Sequence, residues 1–306
     1  MIHFSVTSNV RLKTHGFKPT LMTKSQKNRF SSADSAAPTP GTLTGHELEK
    51  ISALIYQRAG IVLTPQKKDM VFNRLSRRLR ELNLRRFDDY IALLVNNPAS
   101  REWQEFINAL TTNLTSFFRE AYHFPTLAKH AQSRPGMYSV WCAAASTGEE
   151  PWSIAMTLET ALGRSITGPR VLATDIDTDV LERAVQGVYR LADIDNLSEQ
   201  QKKSWFLRGT GDQANMVKIK SELRNSVQFR QLNLIESQWD IPAPFDAIFC
   251  RNVMIYFDHN TQGKLLQRFA KMLKPGGLLF VGHSEHFQNM NSPFRLLGQS
   301  VYRLAE

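Results

Sequence analysis

Apolar residues recur every three to four positions from Leu43 to about Leu110, and after that the period changes. In the first tract Leu48, Ile51, Ile55 and Tyr56 share one face of a helix. Thr44 precedes them, and Glu47 three places on predicts a capping box. Gly60 ends this helix and Pro65 opens the next, because glycine suits the left-handed C-terminal position and proline the first helical one. Val71, Leu75, Leu79 and Leu82 form the apolar stripe of the second helix. The stretch Ala109 to Glu120 mixes Asn113, Thr115 and Arg119 with Leu114, Phe117 and Phe118. Such a mixture fits a connection between helices. It also joins the helical tract to the sheet-forming part of the chain, and ligands often bind at such a junction.

From Tyr138 onward short apolar runs alternate with helical stretches. Val140 to Ala144 breaks into a small-residue turn ending at Gly148, and a helical pattern comes next. After a turn from Gly163 to Pro169, a second apolar run ends on Asp175. Strand, tight turn, helix, and strand with a terminal acid make the first half of a nucleotide-binding α/β fold. The small residues of the turn are expected because a ligand must approach the backbone there. Asp175 is expected to accept hydrogen bonds from ribose hydroxyls.

A further helix (Val180, Leu181, Ala184, Val185) ends near Gly187. Residues 187–225 then interrupt the alternation. The turn Gly209-Thr210-Gly211 leads into alternating Met216, Val217, Lys218, Ile219 and Lys220, which predicts a small antiparallel hairpin inserted between the second and third core strands. Val227 to Leu234, Phe245 to Cys250 and Leu278 to Gly282 read as the remaining core strands. Lys274-Pro275-Gly276-Gly277 is expected to stop the helix before the last of these, and Phe294 to Leu304 to close the sheet with a hairpin. The predicted architecture is a leader (1–42), an all-helical domain (43–112) and a Rossmann-like α/β domain (113–306) carrying the inserted β-subdomain.

The turn at Gly148 does not suit a phosphate. It lacks both G-x-G-x-x-G and G-K-[ST], and Glu149 and Glu150 open the next helix, where two carboxylates repel a pyrophosphate. A ribose-bearing ligand with an amino group and a sulfonium is favoured instead, and S-adenosylmethionine is such a ligand. Glu150, Asp175, Asn233, Arg251 and Asn252 all fall at or just past the ends of predicted strands, where α/β folds bind ligands.

The net charge of +10 divides unevenly. The leader carries Arg11, Lys13, Lys18, Lys24, Lys27 and Arg29 against Asp34 alone, without helical or strand period, and is expected to be disordered. It has no apolar core of the secretory kind. The second helix also carries basic residues, Arg74, Arg77 and Arg78 among them. A run of this kind is ordinarily a solvated face, and it also fits an acidic partner. No aromatic residues interleave with these arginines, which argues against single-stranded nucleic acid. Cys142 and Cys250 lie inside apolar runs and read as buried, reduced thiols. No apolar run approaches the roughly 20 residues of a membrane span, and no metal site is read: His283 and His286 lack partners at ligand spacing.

Five motifs in order, N-x-T-x-F-F-R, A-A-A-S-T-G-E-E-P-W-S-I-A, A-T-D-I-D, F-D-A-I-F-C-R-N-V-M-I-Y-F-D and L-K-P-G-G-L-L-F-V-G-H-S-E, closely resemble the CheR family, the chemotaxis receptor methyltransferases of bacteria. The resemblance covers about Leu43 to Leu304. It implies a protein-glutamate O-methyltransferase that uses S-adenosylmethionine, releases S-adenosylhomocysteine, and works in the cytoplasm at membrane receptor arrays. It implies cofactor contacts at Asn113, Thr115, Arg119, Glu150, Asp175, Asn233, Leu234, Arg251 and Asn252, with Glu149 a rival to Glu150. Arg119 and Tyr256 match the positions beside the transferring methyl and the substrate carboxylate; Tyr256 also reads as a buried aromatic tied by its hydroxyl. Partners implied are acidic helical bundles of methyl-accepting receptors, docked on Arg74, Arg77 and Arg78, and a C-terminal receptor peptide at the β-subdomain. Nucleic-acid methylation is disfavoured, since R-N-V-M-I-Y-F replaces the Pro-Pro-aromatic motif of amino-methylating DNA enzymes.

Overall fold

A computed structural model describes residues 40–163, 170–287 and 292–305. The leader to residue 39 and most of the Gly163–Pro169 turn lie outside the described residues. Four helices open the fold: α1 (Gly45–Ala59), α2 (Lys68–Glu81), α3 (Phe87–Asn96) and α4 (Glu102–Leu110). The Thr44–Glu47 capping box forms as expected, and Gly60 closes α1 in the left-handed conformation at φ 71°. Val71, Leu75 and Leu79 of α2 are fully buried against Ile51, Ile55, Tyr90 and Phe106, so these helices share one core. The connection after α4 runs without a helix until α5 (His123–Gln132).

The sheet domain continues with β1 (Val140–Cys142), α6 (Glu149–Leu162), β2 (Val171–Asp175) and α7 (Thr178–Gln186). Next come β3 (Val188–Arg190), α8 (Glu199–Trp205), β4 (Phe206–Arg208), β5 (Met216–Ile219) and the single turn α9 (Ser221–Arg224). The main fold resumes with β6 (Val227–Gln231), β7 (Phe245–Phe249), α10 (His259–Met272), β8 (Leu273–Phe280), β9 (Phe294–Gly298) and β10 (Val301–Leu304). Seven strands pair in the order β6-β2-β1-β7-β8-β10-β9. The first five run parallel, and β10 is antiparallel to both neighbours.

Alternate residues of the central strands enter opposite cores, as the two-residue period of a strand requires. Val140, Cys142, Ala173, Ala247 and Phe249 join the layer that contains α5 and α6. Trp141, Leu172, Ile248 and Leu279 join the layer under α10. With both faces covered, these strands read in the sequence as continuous apolar runs.

Two expectations change. The inserted subdomain is a three-stranded sheet, β3-β5-β4, and the alternating strand read from the sequence lies at its centre. Val188–Arg190 supplies the third strand; three residues are too few to show a period. The Lys274–Gly277 segment does not separate helix from strand, because α10 stops at Met272 and β8 already begins at Leu273. Phe245 pairs with Leu273 and Ala247 with Leu278, so the four residues between form a bulge, where Pro275 needs no ladder partner. Gly276 takes φ 69° there, and Lys274 Nζ crosses the bulge to Asp246 at 2.7 Å.

The helical domain sits at the carboxyl ends of the strands. Gln104 Nε2 donates to the Ile176 carbonyl at 2.9 Å, Asn108 Nδ2 to Thr178 Oγ1 at 2.9 Å, and Asn233 Nδ2 to the Arg58 carbonyl at 2.8 Å. The Val62 amide donates to the Tyr256 carbonyl at 2.8 Å. These bonds roof the switch point between β1 and β7, on either side of which the strand order reverses.

Candidate functional site

A cavity lies under this roof, and every residue implied to touch the cofactor or the transferring methyl lines it. Its wall holds Asn113, Thr115, Arg119, Glu150, Asp175, Asn233, Leu234, Arg251, Asn252 and Tyr256. Ala143, Ala144 and Ser146 from the turn after β1 complete one side. Their small side chains keep the strand end open, as expected. Gly148 is required by protein packing. Its φ is 102°, and a Cβ there would fall 2.7 Å from Tyr189 Oη and 2.9 Å from Ala184 Cβ.

The two adjacent acids separate cleanly. Glu150 lines the cavity, whereas Glu149 turns to Thr147, whose hydroxyl donates to it at 2.7 Å. Glu150 is buried, accepts from Arg251 at 2.7 Å and from the Cys142 thiol at 3.4 Å. Burial pushes its carboxyl up, opposed by the Arg251 charge. Cys142 and Cys250 are buried free thiols, both raised by burial.

Asp175 is held at the end of β2 by backbone amides: Ser146 donates to Oδ2 at 2.8 Å and Asp177 to Oδ1 at 3.0 Å. Burial raises its carboxyl to about 6, and these amides oppose the rise. Asp177 is absent from the residues expected at the site, yet it anchors the wall. Its carboxylate caps α7 and accepts from Thr111 Oγ1 at 2.5 Å and Asn113 Nδ2 at 2.7 Å. Asn113 Nδ2 is thereby committed to the protein. The A-T-D-I-D motif contains both acids, but only the first stands at the end of a strand.

Arg251, its side chain 1% exposed, lies between two carboxylates, Glu150 and Glu120, the latter at 3.2 Å. It also donates to the Arg119 carbonyl at 2.5 Å. Its Nε is buried and has no partner among the described residues, a donor that an acceptor in the cavity would satisfy. Glu285, likewise not expected from the sequence, is 3% exposed and accepts from the amides of Gly282 at 2.6 Å and Asn252 at 2.9 Å. It fixes the loop that carries Asn252 and Tyr256. Phe118, Glu120, Ser146 and Asn252 all have φ between 48° and 58°; strained non-glycine conformations of this kind concentrate at functional sites. Tyr256 is half-buried, and its hydroxyl has no hydrogen bond among the described residues, which removes the tied-hydroxyl alternative.

The basic residues of α2 do not act together. Arg77 is exposed, its side chain 79% accessible, with Glu81 as ion-pair partner at 3.0 Å. Arg78 is only 18% accessible and binds Glu102 through Nε at 3.0 Å and Nη2 at 2.6 Å, while Tyr90 donates to the same carboxylate at 2.8 Å. Arg74 donates to the Thr111 carbonyl at 2.5 Å. Arg78 and Arg74 are therefore engaged with the protein's own structure, whereas Arg77 stands exposed.

A parallel sheet closed by an antiparallel hairpin, with an acid at the end of β2 and a carboxylate instead of a phosphate cradle after β1, defines an S-adenosylmethionine-dependent methyltransferase. The chain matches the CheR methyltransferase SAM-binding domain over residues 113–303 and the CheR methyltransferase all-alpha domain over residues 46–111. It belongs to the CheR methyltransferase family. A chemotaxis protein methyltransferase of Klebsiella aerogenes is 55% identical over 289 residues, 94% of this chain and 99% of that protein. One of Salmonella typhimurium is 57% identical over 264 residues, covering 86% of this chain and 92% of the relative. Chemotaxis protein methyltransferase 2 of Pseudomonas aeruginosa is 48% identical over 262 residues, 85% of this chain and 93% of that protein.

The residues present fit the cofactor. Asp175 would present a carboxylate to ribose hydroxyls, Glu150 one to an amino group, and the orphaned Arg251 Nε a donor to a carboxylate. No helix among the described residues is long and apolar enough to cross a membrane.

Proposed function

We propose that this protein methylates glutamate side chains of methyl-accepting chemotaxis receptors, giving glutamate 5-O-methyl esters and S-adenosylhomocysteine. The observation that carries the reading is that Arg119 and Tyr256 line the same cavity as Glu150 and Asp175, so acceptor and cofactor groups meet at one place. The relatives named as chemotaxis protein methyltransferases support the choice of substrate.

Bound S-adenosylmethionine supplies an electrophilic methyl on a sulfonium. A glutamate side chain, with an ordinary pKa near ~4.3, is already a carboxylate at neutral pH. The protein therefore needs no general base and contributes by positioning, worth on the order of 7–11 kcal/mol in favourable intramolecular models. Arg119 is half-buried and anchored through Nη1 on the Leu114 carbonyl at 2.9 Å, which leaves other donors of its guanidinium for a substrate carboxylate. That pairing steers the nucleophile; a tighter one would blunt it. Exposed Leu114 and Ile255 stand beside the mouth residues Asn113 and Tyr256 and lower the hydration of an incoming side chain.

The acidic receptor helix docks on the exposed cations of α2 and the turn before it, Lys67, Lys68, Arg77 and Arg80. In the inserted sheet the free edges belong to β3 and β4, and strand addition of a receptor peptide would use one of them. On this proposal the protein acts in the cytoplasm at receptor arrays. The discriminating experiment offers labelled S-adenosylmethionine with receptor-containing membranes, DNA or RNA in parallel. Label in receptor polypeptide supports the proposal, and label in nucleic acid instead defeats it.

A further inference from the structure

We propose that Glu120 is a positioning residue for the methionine end of the cofactor, setting the charge that Glu150 presents there through Arg251. The inference rests on the reading that Glu150 faces the cofactor's amino group.

Among the described residues Arg251 is the bridge between the two carboxylates. Its Nη1 reaches Glu150 at 2.7 Å and its Nη2 reaches Glu120 at 3.2 Å, with the guanidinium almost wholly buried. Two carboxylates around one guanidinium leave the trio with a net negative charge. Were Glu120 neutral, Arg251 would be balanced by Glu150 alone, and the trio would be neutral where a cationic amino group arrives. In a buried setting such a change is felt strongly, because few waters screen it.

Glu120 is held firmly in this place. Its backbone adopts φ 53°, a conformation non-glycine residues take at some expense. The carboxylate is held from outside by His283 Nδ1 at 3.2 Å and from the cavity side by Asn252 Nδ2 at 3.4 Å. Burial alone would raise its carboxyl, but Arg251 and His283 hold it down to about 2, so it carries its charge at any working pH. Glu120 does not itself line the cavity, so its action is through Arg251. Arg119, immediately before it, adds a positive charge that also acts on Glu150, which makes the negative charge of Glu120 the counterweight on that side.

The test compares two ligands by calorimetry on the purified full chain. S-adenosylhomocysteine carries the amino-acid end, and methylthioadenosine lacks it. Glu120→Gln keeps shape and hydrogen bonding but removes the charge. It is expected to weaken S-adenosylhomocysteine about tenfold, the equivalent of ~1.4 kcal/mol, and to leave methylthioadenosine within about twofold. His283→Ala, at a position whose side chain is 69% exposed, is expected to give a smaller loss with the same selectivity and serves if the glutamine variant does not fold. Equal losses for both ligands would show a merely structural role and overturn the proposal, as would no loss in either. Glu150→Gln is the control. If it separates the ligands and Glu120→Gln does not, this inference fails alone; if neither does, the reading of Glu150 fails with it.

Discussion

Arg78 and Arg77 are neighbours in sequence, yet the structure gives them opposite fates, and replacing each with alanine separates them. Arg78→Ala leaves Glu102, 9% accessible, without its bidentate partner and still accepting from Tyr90. Breaking a fully buried pair costs about 3–5 kcal/mol, and an exposed pair contributes about 0.2–1 kcal/mol. Arg78 is partly accessible, so the expected loss lies between these limits, at roughly 2–3 kcal/mol. For a domain of this size each kcal/mol lowers Tm by about 2–4 °C, which predicts a fall of roughly 4–12 °C. Arg77→Ala removes one exposed i,i+4 pair with Glu81 and should move Tm by no more than about 2 °C. The assay is thermal unfolding of both variants beside steady-state kinetics with receptor membranes. Arg78→Ala melting like the parent while raising KM for receptor would refute the core assignment and restore the docking one.

Other consequences are equally direct. Arg77→Glu is expected to raise KM for receptor severalfold and flatten its dependence on salt, with cofactor affinity unchanged; unaltered receptor kinetics would remove α2 from the docking surface. Ribose hydroxyls favour the charged form of Asp175, whose carboxyl is raised to about 6. S-adenosylhomocysteine should therefore bind more tightly as pH rises through about 6, and Asp175→Asn should bind weakly and without that rise. The same raised carboxyl makes its ionisation a burden on the fold that is absent below pH 3.8 and complete above about 6, so Asp175→Asn should gain stability relative to the parent over that window. Gly148→Ala places a methyl 2.7 Å from Tyr189 Oη at φ 102° and should cost on the order of 1–3 kcal/mol, read as a lowered Tm; a neutral result would contradict the packing argument.

The central strands β1, β2 and β7 are legible in the sequence because they are buried on both faces and so appear as near-continuous apolar runs, with polar residues at or just past the ends of β2 and β7. Asp175, Arg251 and Asn252 stand out for that reason. The partner of Arg78 is not legible, because helix periodicity places a residue on a face but does not say what covers that face; Glu102 comes 24 residues later. Glu120, Asp177 and Glu285 escape notice for a related reason. Each works by accepting hydrogen bonds from backbone or side chains that only the folded chain brings close, and none stands at the end of a core strand, where a polar residue after an apolar run is conspicuous. The inserted sheet is half legible: β5 alternates over four residues, whereas β3 and β4 have three each, too short for a period to show.

The central claim concerns the bond formed, and the most direct measurement is the chemistry of the transferred methyl. Receptor membranes labelled with methyl from S-adenosylmethionine would be treated with mild base, and the modified peptides mapped by mass spectrometry. The account predicts that the label is released as methanol and that it maps to glutamate residues on the receptor's helical bundle, with Arg119→Ala abolishing most of it. Base-stable label, or label on lysine, arginine or nucleic acid, would contradict it.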